Sequence, residues 1–230
     1  MLSFLHFFIL QITTTPVEPV AAPPDELTLA SLLMKGGFVM IPILLLWAVA
    51  LYLFIERYLY LRVVTKSGKN MVNQVKKALL EGDVKTAKMY AEKENSATGN
   101  IILSGLEFVG KPVKDIEAIM ESAANIEIAE MEKNMGYLGV IAGIAPMLGF
   151  IGTISGIIRI FYNISLSDNI SIGIIAGGLY EKMITSGSGL VVGVLAYTAY
   201  HLLNLMINHF TLRMQKDVFE FVRSILSPAK

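Results

Sequence analysis

The chain has 230 residues, 54% hydrophobic and 17% charged, with a mean hydropathy of +0.59. A soluble domain carries nearer about 25% charged residues. Nineteen Lys plus Arg balance nineteen Asp plus Glu, so no net charge supports an electrostatically driven nucleic-acid partner. Cysteine is absent, which excludes disulfides, thiol nucleophiles and thiolate metal sites. His6, His201 and His209 have no metal-ligand spacing, and no catalytic constellation or cofactor motif is present. The polar residues are unevenly spread. Residues 61–135 carry charges every few positions, whereas 36–55, 136–158 and 183–212 carry none. That pattern predicts an all-α, polytopic membrane protein with one polar helical domain.

Residues 1–35 open with an eleven-residue apolar run, 2–12, that lacks the basic flank of a signal peptide. An interfacial segment followed by a disordered Pro-rich stretch, 13–25, is the preferred reading, with cleavage the alternative. The first span is expected over 36–60. Its 36–55 run is long enough for a hydrocarbon core of about 30 Å, and Glu56-Arg57 marks the membrane boundary. Tyr52, Tyr58 and Tyr60 gather at that end, as aromatic residues do at headgroups.

Residues 61–135 read as helices throughout. One is expected to stop at Gly82, with Asp83 capping the next over 84–94. A turn over 95–99 should precede a helix over 100–109, and Gly110-Lys111-Pro112 breaks the chain again. From Val113 the pattern predicts one unbroken helix to residue 161, about 70 Å long. The Glu and Lys pairs of this region are read as a solvated face. The second span is placed at 136–162, a loop at 163–170 and the third span region at 171–209. A helix and tail over 210–230 continue the third span beyond the bilayer. Arg57, Arg62, Lys66 and Lys69 follow the first span, and the 163–170 loop has no basic residue. This asymmetry puts 61–135 and the C-terminus in the cytoplasm and the N-terminus outside.

The second span sets small residues one turn apart: Gly139 and Gly143, Ala145 and Gly149, Gly152 and Gly156. Such spacing allows close helix approach in lipid. Pro146 frees a carbonyl that a neighbour must satisfy. Thr153 lies one turn beyond Gly149, where its hydroxyl either faces a pathway or bonds its own backbone. The third span carries Glu181, Thr185 and Ser188 on one stripe, with Lys182, Ser186, Gly189 and Gly193 on the next. A carboxylate at membrane depth marks a functional site by default; at the outer interface it would be merely solvated. Two Asn-x-Ser triplets, at 163 and 169, are weak glycosylation matches.

Three stretches resemble the ExbB/TolQ/MotA family of proton-driven motor subunits, and its ExbB members most closely. They are Glu56-Arg57 with Leu61, the run LGVIAGIAPMLGFIGTISG at 138–156, and GLYEKMITSGSGL at 178–190. The likeness covers about residues 30–225. It implies that Thr153, Glu181 and Ser186 are the polar residues of an ion pathway, with Thr185 a second hydroxyl beside Ser186. Lys182 stands where the family usually has alanine, and Leu195 where many members have proline. The resemblance further implies a homopentamer in the bacterial inner membrane, its second and third helices lining a pore. Two ExbD-like single-span partners would occupy that pore, each presenting a titrating aspartate, and a TonB-like transducer would carry the work onward. Alone, the chain should conduct little. A TolQ-like or motility stator with another output is the related alternative, and a non-conducting helical scaffold the unrelated one. The residues leave H⁺ and Na⁺ equally open.

Overall fold

The computed structural model describes residues 37–65, 69–94, 96–166 and 172–226, and all its regular structure there is helical. The seven helices are α1 (Met40–Val64), α2 (Lys69–Leu80), α3 (Val84–Lys93), α4 (Ala97–Leu106), α5 (Val113–Glu132), α6 (Met135–Ser165) and α7 (Ile172–Leu226). The expectations for residues 1–35, for residues 167–170 of the loop and for the last four residues lie outside the described residues.

Three helices have the length and apolarity to cross a membrane: α1, α6 and the first part of α7. Their outward surfaces carry large apolar side chains, among them Ile41, Leu45, Tyr52 and Ile55 on α1 and Met147, Phe150 and Ile158 on α6. In water so much contiguous apolar surface would drive association; in hydrocarbon it is the ordinary exterior. Pro42 falls in the first turn of α1, where its missing N–H costs no intrahelical bond.

The four short helices behave differently. Asp83 caps α3 by accepting from the Thr86 amide, and Gly82 turns the chain at φ +75°. Ser96 caps α4, so that helix begins at Ala97, three residues before the expected start. Gly110, at φ +100°, and Pro112 separate α4 from α5. Met71, Val75, Ala87, Ile101, Ile102, Ile116 and Met120 are buried here together with Phe210, Met214 and Phe221 of α7. Gly105 lets this small bundle close, since a Cβ there would sit 2.6 Å from the Met120 sulfur and 3.0 Å from the Phe221 ring. The helical middle of the chain thus builds its core on the far half of α7, which at 55 residues is about 80 Å long.

One expectation is corrected. The helix predicted to run unbroken from 113 to 161 is two helices, because Lys133 is extended and Asn134 is left-handed at φ +63°. Asparagine is one of the few non-glycine residues that adopts this conformation readily. The break strands the Glu130 carbonyl, whose partner in a continuous helix would be the Asn134 amide. Arg57 of α1 supplies the replacement, donating from Nη1 at 2.9 Å.

Candidate ion pathway

The site is built where α6 and α7 run antiparallel at closest approach. Gly149 of α6 and Gly189 of α7 face each other backbone to backbone. A Cβ on Gly189 would stand 2.5 Å from the Ala145 carbonyl and 3.0 Å from Gly149 Cα, and one on Gly149 would meet Ser186 Cα at 3.1 Å. Gly193 makes room for the Pro146 ring and lies against the Ala142 carbonyl, the group that Pro146 leaves without an amide. Gly156 accepts the aliphatic stem of Lys182. Gly152 accepts the Thr185 methyl group and Val39, at the start of α1. Among the described residues beyond its own helix turn, Gly139 has the edge of the Tyr200 ring, at 4.0 Å, and Gly143 has none within 4 Å.

Thr153 is half-buried in this seam. Its hydroxyl lies 3.2 Å from the Gly149 carbonyl of its own helix and 3.4 Å from the Lys182 carbonyl of α7. One proton serves one acceptor well, so the hydroxyl can move between the two helices. Thr185 is fully buried and donates to the Glu181 carbonyl at 3.2 Å. Ser186 is half-buried, one residue further round α7.

Glu181 is less isolated than an intramembrane carboxylate would be. Its Oε1 pairs with Lys182 Nζ at 2.8 Å, and the same oxygen lies 3.0 Å from the position of a Cβ on Gly37. The pair therefore sits level with the start of α1, on the Thr185 stripe, while Ser186 lies on the neighbouring one. Lys182 thus neutralises the acid locally. At the other end of α1, Arg57 is not an exposed headgroup anchor. It is 5% exposed, holds Glu56 through two 2.9 Å hydrogen bonds and reaches Glu130 with its third arm. Nothing in the sequence pattern distinguished that buried role, because Glu-Arg after an apolar run reads as a boundary pair.

Among the described residues, α1 covers one flank of the α6–α7 pair, through Val39, Ala50 and Leu53. No described residue covers the opposite flank. At helical spacing that flank presents Gly139, Gly143, Phe150 and Thr153 from α6, beside Ser186, Leu190 and Tyr197 from α7. Small and hydroxyl-bearing side chains on an otherwise apolar surface are what a second polypeptide or a hydrated path requires, since lipid satisfies no hydroxyl.

Comparison with known proteins shows the family of the chain. The profile of the MotA/TolQ/ExbB proton channel family matches residues 93–216, which include the whole α6–α7 seam. The chain is 30% identical over 173 residues to a putative biopolymer transport protein, ExbB-like 1, of Synechocystis sp., covering 74% of this chain and 68% of that one. It is 28% identical over 177 residues to a putative ExbB homolog of Methanothermobacter thermautotrophicus, covering 75% of this chain and 62% of that one. A 96-residue stretch is 30% identical to the Tol-Pal system protein TolQ of Haemophilus influenzae, 42% of each chain. A membrane protein with this fold, this seam and these relatives belongs to the MotA/TolQ/ExbB proton channel family.

Proposed function

We propose that the chain is the ExbB-like subunit of a motor driven by the proton-motive force in a bacterial inner membrane. Several copies, five by resemblance, put their uncovered α6–α7 flanks around a central pore, and an ExbD-like single-span partner stands within it. The observation that carries this reading is the uncovered flank itself, with Thr153 and Ser186 on it and α1 confined to the other side. One chain cannot enclose a path with one flank, whereas a ring of copies can.

The partner's acid takes and releases the proton. Thr153, with Ser186, gives that acid hydroxyl partners in either protonation state, and the Glu181–Lys182 pair sets the field at the outer end. One charge moved through 100 mV releases about 2.3 kcal/mol. The N-terminus lies outside and 61–135 with the tail inside, so the small bundle on α7 is a cytoplasmic platform. Spans fall at 36–60, 136–162 and within 171–209. The output is energisation of outer-membrane transport through a TonB-like protein. A TolQ-like output is the second reading, favoured by the similarity to the Haemophilus protein.

The test is co-reconstitution of the chain with its single-span partner in liposomes carrying a pH gradient, then a Na⁺ gradient. Wild type should pass protons and not Na⁺. Thr153→Val and Ser186→Ala, assembled to the same extent, should lose most of that flux. Undiminished flux in both would remove these residues from the pathway.

A further inference from the structure

We infer that His201 is the proton acceptor at the inner mouth of the pathway, a site held by Tyr197 and Tyr200. The inference rests on the pore reading given above and adds an exit group to it.

Three observations place it. His201 continues the uncovered stripe of α7, since Ser186, Leu190, Tyr197 and His201 lie on one side of that helix and Leu190, Tyr197 and His201 are exposed. Its neighbour Leu202 lines a groove between α1 and α7 together with Phe54, two residues before the Glu56–Arg57 pair. His201 therefore lies toward the inner end of the apolar span. Its surroundings are specific. The imidazole is exposed, yet flanked edge-on by Tyr197 at 4.2 Å and Tyr200 at 5.3 Å between ring centroids. Tyr200 in turn rests by Gly139 of α6.

An ionisable side chain at this depth, on the flank that faces the pore, is placed where a proton leaves low dielectric for water. Histidine is the side chain that changes charge near neutral pH. The titratable groups around it are few. α6 has none between Tyr137 and Arg159, and α1 packs on the opposite flank through Val192 and Ala196. Among the described residues, Tyr137, Tyr197 and Tyr200 are thus the titratable side chains on this flank near the histidine. The step is a proton transfer alone: the neutral imidazole takes a proton from pore water, becomes imidazolium and releases that proton to the cytoplasm.

The experiment uses the chain reconstituted with its single-span partner, with lumenal pH varied on the side that α2–α5 face. Wild-type flux should fall as that pH is lowered at a constant gradient, because the acceptor fills. His201→Gln should lower flux at least tenfold and flatten this dependence. His201→Ala should regain flux when imidazole is added to the lumen. His201→Gln with wild-type flux and wild-type pH dependence would overturn the inference alone, with Thr153→Val still inactive. Absence of flux in the wild type would overturn the pore reading and this inference together.

Discussion

Arg57 donates its Nη1 proton to the carbonyl of Glu130 at 2.9 Å, across 73 residues of sequence and at the point where α5 and α6 part. The same guanidinium grips Glu56 in a two-pronged ion pair. Three helices are tied by one side chain: α1 through its own backbone, α5 through the accepted bond, and α6 through the turn that the bond supports. A planar fork is needed, because the three arms leave in fixed directions.

Arg57→Met should therefore keep the apolar stem and lose the clamp. The expected cost is about 2 kcal/mol, as for a hydrogen bond to a charged group, moderated because Glu56 can turn toward solvent. Arg57→Lys should recover only part of this. Thermal unfolding in detergent measures it, and a Lys variant as stable as wild type would show that charge alone suffices.

The α6–α7 seam makes a second expectation. At Gly149 and Gly189 the neighbouring atoms are backbone, which cannot swing away. Gly189→Leu should separate the helices and prevent the native fold. Gly143→Leu should leave the chain's own fold intact, since beyond its own helix turn no described residue lies within 4 Å of its Cβ position. If copies close around that flank, Gly143→Leu should instead reduce the oligomer, visible by native mass spectrometry.

Much of the fold was legible because the governing signals are local. Uncharged runs mark the spans, Gly82 with Asp83 marks a helix end and a cap, and Gly110 to Pro112 marks a break. The split at Lys133–Asn134 was not legible, since neither residue is a strong breaker. The turn is held by Arg57, more than seventy residues earlier, and no window along the chain contains both. The seam glycines were also partly legible: spacing alone gives Gly139 and Gly143 the same weight as Gly149 and Gly152. What separates them is which neighbour lies opposite, a property of α7. Glu181 illustrates the same limit. Its partner is the adjacent Lys182, but its level relative to Gly37 depends on how far α1 is offset from α7.

The cap of α3 gives a pH expectation. Asp83 accepts from the Thr86 hydroxyl at 2.6 Å and from its amide at 3.1 Å, and these bonds hold its carboxyl below the ordinary value. A depressed carboxylate contributes stability that is full above its unfolded pKa and is lost as pH falls through the folded one. Protection of the amides in residues 84–93, taken relative to their intrinsic exchange rates, should be full at neutral pH and decline as pH drops below about 4. Asp83→Ala should show the lower protection across the whole range. Equal exchange in the two proteins at pH 7 would show that the cap carries no local stability.

Gly156 and Lys182 provide the sharpest test of the outer end of the seam. Lys182 reaches the Glu181 carboxylate only because its stem lies over a residue with no side chain. Gly156→Val should push that stem aside, break the ion pair and cost about 2 kcal/mol through overpacking. Lys182→Ala removes the obstructing atoms, so the double variant should be hardly less stable than Lys182→Ala alone. The coupling expected from the cycle is at least about 1 kcal/mol. Additive losses in detergent unfolding would mean that the stem and the glycine do not meet, and that Lys182 is free to leave Glu181 for another partner.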